Sequence, residues 1–144
     1  MDGPHGFFTR ERERDQPALF VATGTGLCPL RAMLQEELAR ASDGPPLGLL
    51  FGCRSQADIL WRDELQAWST AHARFQTWVT LSRCDEQWGG ARGYVQAHLG
   101  AALEALGRPH VFVCGLSKMV GEVRAVLKQQ HGYDRKLVHS ERYD

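Results

Sequence analysis

The residues best suited by type and spacing to do chemistry lie in the run Thr23-Gly24-Thr25-Gly26-Leu27-Cys28-Pro29. An apolar run at residues 18–22 precedes it, and an apolar series at helical spacing follows it. Two glycines at such a junction let the chain turn tightly and bring its backbone close to a ligand. The first N–H groups of the following helix then point at that ligand, which suits a phosphate. Pro29 falls in the first helical turn, where its missing N–H costs no hydrogen bond. A dinucleotide fingerprint would add a third glycine and an acid about 20 residues further on. Here Pro29 replaces that glycine, and the next apolar run ends in Phe51-Gly52-Cys53-Arg54 with no acid. The loop reads as a phosphate cradle of a different pattern, or as a plain tight turn.

Three further places bear reactive or ligand-binding groups. Cys114-Gly115-Leu116 repeats the order of strand, glycine and helix. Its thiol faces a ligand crevice, or is a small buried core residue. Ser82, Arg83, Arg92 and Tyr94 bracket one polar segment. A guanidinium clamps a phosphate through paired hydrogen bonds, and an aromatic or arginine plane stacks on a base. The alternative is a solvated loop. The chain closes on Ser140-Glu141-Arg142-Tyr143-Asp144, a polar end with one aromatic.

These groups need elements to position them. Residues 18–22, 47–53, 75–81, 110–114 and 137–139 are short apolar or alternating runs that predict strands. Between them, apolar residues at helical spacing predict helices over 27–41, 58–70, 94–106 and 116–127, with Gly132 as a C-terminal cap. Strands separated by helices require crossover connections. In one sheet these give a five-stranded parallel, doubly wound α/β fold of three layers, α/β/α. Ligands in such folds sit beyond the C-terminal ends of the strands. That directs attention to residues 23–29, 52–58, 82–94, 114–119 and 139–144.

Composition narrows the classes further. The 144 residues carry 17 basic and 17 acidic side chains, 43% hydrophobic and 24% charged, as expected of one globular domain. A net charge of zero argues against nucleic acid or an anionic membrane as the main partner. No apolar run approaches the ~20 residues that span a bilayer, and the charged first 15 residues are not a secretory signal. Cys28, Cys53, Cys84 and Cys114 form no CxxC pair, and no histidine lies at zinc-finger spacing. This predicts thiols rather than disulfides, no metal or iron–sulfur site, and a cytoplasmic protein.

Together these positions resemble the nicotinamide-binding domain of the ferredoxin–NADP reductase family. VATGTGLCPLRAMLQ is similar to the family's pyrophosphate loop, and LLFGCRSQADILWRDEL to its second strand and the segment after it. VFVCGLSKMVGEVRAVL is similar to its CG-x-x-x-M motif, and HSERYD to its acidic and aromatic terminus. Gly3-Pro4-His5-Gly6-Phe7-Phe8 resembles the G-P-x-G-x-F that ends the family's flavin-binding barrel. The resemblance implies that residues 1–15 are a remnant of an interdomain segment and residues 16–144 the NAD(P)-binding domain.

By the same resemblance, Gly24, Thr25, Gly26 and the helix start at Pro29 hold the cofactor pyrophosphate. Thr23 and Cys114 lie near the nicotinamide, Gly115 lets it approach, and Leu116 and Met119 complete that motif. Arg54 belongs to the second-strand motif. Glu141 and Tyr143 stand at the junction of flavin and nicotinamide, so that Cys114, Glu141 and Tyr143 are the implied catalytic set. Ser82-Arg83 with Arg92-x-Tyr94-x-Gln96 resembles the set that holds the 2′-phosphate of NADPH. Asp85-x-x-Trp88-x-Gly90-x-x-Gly93-Tyr94 resembles NADH-using reductases of oxygenase systems, so NADP and NAD both stand. The implied activity is hydride transfer to FAD held by a flavin-binding domain or subunit, and onward electron transfer to a ferredoxin-like or oxygenase partner. A nucleotide-binding regulatory or subunit module without activity of its own is the alternative.

Overall fold

The computed structural model describes residues 16–40 and 44–142. The elements run β1 (Ala18–Thr23), α1 (Leu27–Arg40), β2 (Leu47–Cys53), α2 (Arg62–Ala71), β3 (Phe75–Leu81) and β4 (Ala91–Arg92). They continue with α3 (Leu99–Leu106), β5 (His110–Gly115), α4 (Ser117–His131) and β6 (Val138–Arg142). All strands pair in parallel, in the order β4-β3-β2-β1-β5-β6.

Successive side chains on a strand point to opposite faces, and the central strands are apolar on both. Ala18, Phe20 and Ala22 join Leu47, Leu49, Phe51 and Phe112 under α1 and α2, where Leu30, Leu34 and Leu65 cover them. Leu19 and Val21 join Leu50, Val111 and Val113 under α3 and α4, where Leu99, Leu103, Val120 and Val123 cover them. This is the three-layer, doubly wound arrangement expected, with one correction: the sheet has six strands, not five. The sixth is the two-residue β4, whose Ala91 and Arg92 pair with Thr80 and Leu81. Two residues in a glycine-rich segment show no hydrophobic period, so only their pairing with β3 reveals them.

Several boundaries also differ from expectation. The segment over 58–70 is not one helix. A tight turn at Gln56–Asp58 is closed by a reciprocal Ser55–Asp58 capping box, and α2 begins only after Trp61, which adopts a left-handed φ of 51°. The helix expected from residue 94 is a tight turn at Val95–His98 followed by α3. β6 runs to Arg142 because its register with β5 continues to Gly115. Gly132 caps α4 with a φ of 64°, as its position predicts. Among the described residues no helix is long and apolar enough to cross a membrane.

The ends of α3 and α4 are tied together beneath the sheet. Arg108 donates from Nη1 to the His131 carbonyl and from Nη2 to the Gly132 carbonyl, at 3.1 and 3.0 Å. Its guanidinium lies 4.6 Å from the Tyr133 ring centre. The buried Tyr133 hydroxyl donates to the Pro109 carbonyl at 2.7 Å. Burial pushes this phenol up to about 12, with Arg108 pulling weakly the other way. A folded-state value above the unfolded value of about 10 stabilises the fold fully below pH 10, and that contribution is lost as pH rises towards 12. Tyr133→Phe should cost about 1 kcal/mol in urea unfolding at pH 8. It should also flatten the decline in stability between pH 10 and 12 relative to the parent chain.

Candidate functional site

The strand order reverses direction at β1 and β5, the neighbours from which the connections wind to opposite sides. In doubly wound sheets the ligand crevice lies beyond the C-terminal strand ends at such a reversal. Gly24–Gly26 form a tight turn between β1 and α1. Gly24 has a φ of +54° with open space where a side chain would be, and Gly24 and Thr25 are exposed. Gly26 is buried, and a Cβ on it would run into the carbonyl of Cys114. Pro29 is the third residue of α1, so its ring displaces no helical hydrogen bond.

The same switch point gathers residues that are far apart in the chain. A Cβ on Gly115 would run into the Met119 methyl group and lie 3.0 Å from the Thr23 hydroxyl. Thr23, Gly115 and Met119 therefore meet across the ends of β1, β5 and α4. Leu116, expected inside the last helix, is the extended residue just before α4 and is 57% exposed. Cys114 is wholly buried in the layer beneath α1. Glu141 sits opposite it on β6. The Glu141 Oε2 atom is enclosed without a hydrogen-bond partner, a costly state for a polar atom. Tyr143 and the Gly3–Phe8 segment (residues 3–8) lie outside the described residues.

The other side of the crevice is built from the ends of β2, β3 and β4. The β2–β3 pairing extends past both strands: Ser82 N–H donates to the Cys53 carbonyl at 3.0 Å and Arg83 N–H to the Arg54 carbonyl at 2.8 Å. Arg54 and Arg83 are both exposed, one residue out of step in the parallel register that pairs Cys53 with Leu81. Tyr94 is 70% exposed on the rim. It follows Gly93, whose φ of +101° suits glycine and whose N–H donates to the Leu81 carbonyl at 2.9 Å. Gln96 is turned to α4, where Nε2 donates to Glu122 at 2.7 Å.

Two contributors carried no signal in the sequence. Thr80 is wholly buried and its hydroxyl donates to the Gly93 carbonyl at 2.8 Å. His98 Nε2 donates to the Arg92 carbonyl at 2.7 Å. Both hold the turn before Tyr94, and both look like ordinary strand and helix residues until the sheet is assembled.

Burial pushes the Cys53 thiol up to about 11, with Asp58 adding to the effect. It is a neutral thiol at pH 7 and no nucleophile. None of the four cysteines is in a disulfide, and among the described residues no three His, Cys, Asp or Glu could hold a metal ion. A shallow cavity walled by Leu103, Arg108, His131 and Tyr133 lies at the opposite end of the sheet and includes none of the crevice residues.

A parallel doubly wound sheet with a glycine turn at its switch point defines a nucleotide-binding α/β domain. Residues 20–125 match the model of the oxidoreductase NAD-binding domain, and the chain belongs to that family. It is 48% identical over 148 residues to ferredoxin–NADP reductase B of Sorangium cellulosum, an alignment covering 99% of this chain and 60% of that protein. It is 30% identical over 146 residues to the anthranilate 1,2-dioxygenase electron transfer component of Acinetobacter baylyi, covering 97% and 42%. It is 31% identical over 124 residues to NADH-cytochrome b5 reductase 2 of Rattus norvegicus, covering 82% and 44%. The chain thus spans 60% or less of the length of these curated relatives.

Among solved structures, the CS-b5R domains of human Ncb5or in the NAD+ form align with a TM-score of 0.81 at 22% identity, over 93% of this chain and 39% of that one. Ferredoxin-NADP+ reductase from Plasmodium falciparum aligns with a TM-score of 0.71 at 23% identity, over 90% and 52%. At these identities the likeness establishes the fold.

The two glycines of the turn should respond differently to a methyl group. Gly26→Ala drives a side chain into backbone and should cost roughly 3 kcal/mol. Gly24→Ala has room and pays only for its left-handed conformation, about 1 kcal/mol. Urea unfolding of the two variants measures the difference.

Proposed function

We propose that this chain is the NAD(P)H-binding domain of a flavin-dependent reductase, with residues 16–144 forming the domain and residues 1–15 joining it to a flavin-binding domain or subunit. The observation that carries this reading is the switch-point crevice, where the Gly24–Gly26 turn faces Thr23, Gly115 and Met119. The exposed backbone of Gly24 and Thr25 and the start of α1 suit a pyrophosphate. Gly115 and Thr23 bound the place where a nicotinamide ring would lie against the end of β5. Glu141, with its unpartnered Oε2, lies on β6 opposite Cys114 beside the same strand end.

A dinucleotide held by Gly24, Thr25 and the start of α1 would supply hydride chemistry towards a flavin carried by another domain, with a ferredoxin-like, oxygenase or cytochrome protein as the electron acceptor. This chain's residues bind and orient the nucleotide and exclude side chains from its path. The exposed Arg83 beside Ser82, with Arg92 and Tyr94 on the same loop, supports the 2′-phosphate of NADPH, in keeping with the name of the relative from Sorangium cellulosum. The thiol chemistry of the four cysteines suits the cytoplasm.

Isothermal calorimetry of the chain should show saturable binding of NADPH, and weaker binding of NADH. Absence of binding by both at about 1 mM, a range that includes weak cofactor affinities, overturns the reading. A second measurement addresses Cys114. In the reductase assembled with its flavin domain, Cys114→Ser should slow hydride transfer by at least about tenfold while changing nucleotide affinity far less. Equal loss in both would assign the buried thiol to packing alone.

A further inference from the structure

The first turn of α1, beside which a pyrophosphate would lie, contains no acidic residue. The first turn of α2 contains two, Asp63 and Glu64. Carboxylates suit that place, because a helix start carries partial positive charge, and Trp61 ahead of α2 supplies no side-chain cap. α2 follows the turn that leaves the C-terminal end of β2, which is parallel to β1. Its start therefore stands on the same edge of the sheet as the Gly24–Gly26 turn. A bare carboxylate on that edge would repel an anion held there.

Glu64 is not bare. Arg31 of α1 grips it through both arms, Nε donating to Oε1 at 2.6 Å and Nη2 to Oε2 at 2.9 Å. The two side chains are only 27% and 31% exposed, so the pair is partly shielded from solvent. The guanidinium also lies 4.7 Å from the Trp61 ring centre. A helical side chain leans towards its own N-terminus, which brings the Arg31 head back towards the start of α1. Its pKa is raised, chiefly by the Glu64 hydrogen bond and against the lowering effect of burial, and Cys28 on the first turn of α1 adds electrostatically to the rise. The pair is thus within electrostatic reach of that turn.

Resting on the nucleotide-binding reading above, we infer that Arg31 is a positioning residue: it holds and cancels the Glu64 carboxylate at the flank of the pyrophosphate cradle and is not itself a phosphate ligand. α2 keeps the acid that favours its helix start, and the pair adds no net charge beside the cradle. The sum of the two charges then sets their effect on anion binding, and neither side chain matters alone.

Calorimetry at low salt with 5′-ADP, which carries a diphosphate, tests this. Arg31→Gln should weaken binding about threefold and Glu64→Gln should tighten it by a similar factor, although both break the same pair. The double variant, Arg31→Gln with Glu64→Gln, should return to the parent affinity, and Arg31→Lys should keep it within about twofold. At about 1 M salt, where charges are screened within a few ångström, the differences should vanish. The exposed Cys28 reports the same field without a ligand. Its alkylation by iodoacetamide, followed by peptide mass spectrometry, should be slower in Arg31→Gln, faster in Glu64→Gln and unchanged in the double variant, because the thiolate is the reacting form. Weaker 5′-ADP binding in both single variants overturns the proposal, since it would mark a pair that only ties α1 to α2. So does a double variant that stays weak, which would make Arg31 a direct phosphate ligand. If the parent chain does not bind 5′-ADP, the nucleotide-binding reading fails, and the Cys28 rates still decide whether Arg31 and Glu64 cancel.

Discussion

The crevice depends on one steric constraint, the approach of Gly26 to the carbonyl of Cys114. β1 and β5 are adjacent, and the turn leaving β1 must cross the end of β5 without a side chain between them. That closeness brings the start of α1 over the strand ends and leaves Gly24 and Thr25 facing outward. It also requires a second glycine at Gly115, because the Thr23 hydroxyl and the Met119 methyl occupy the space a Cβ would take. Interiors are close-packed, so a methyl group inserted there has no room to relax.

The two sides of the crevice are held by different forces. Around β1 and β5 the strands are buried on both faces, and apolar packing with steric exclusion sets the geometry. Around β3 and β4 the set is polar: Thr80 on Gly93, His98 on Arg92, and Arg92 on the carbonyls of its own loop. Individual hydrogen bonds are worth only about 1 kcal/mol net.

Much of the fold was legible in the sequence, for a physical reason. In a parallel sheet covered on both faces, strands read as continuous apolar runs, and β2 has the bounds its run implies, while β3 has the bounds of its alternating run. The helix starts were less legible. The Ser55–Asp58 box closes a local turn and Trp61 reverses the backbone before α2, although Leu60, Trp61, Leu65 and Trp68 are spaced like one helical face. β4 was not legible at all. Its two residues are a strand only because β3 lies beside them.

The sequence by itself determined the alternation of strand and helix, the places where glycine ends a strand, and hence which loops face the ligand edge. These are local properties, set by periodicity and backbone freedom over a few residues. Tertiary structure alone decided that Gly26 touches Cys114, that Glu141 stands opposite that residue, that the Arg83 N–H bonds the Arg54 carbonyl, and that Arg92 bonds carbonyls of its own loop. Each of these joins segments brought together by parallel register or by a loop closing on itself. Strands apolar on both faces do not encode that register in their own pattern, because either face satisfies burial.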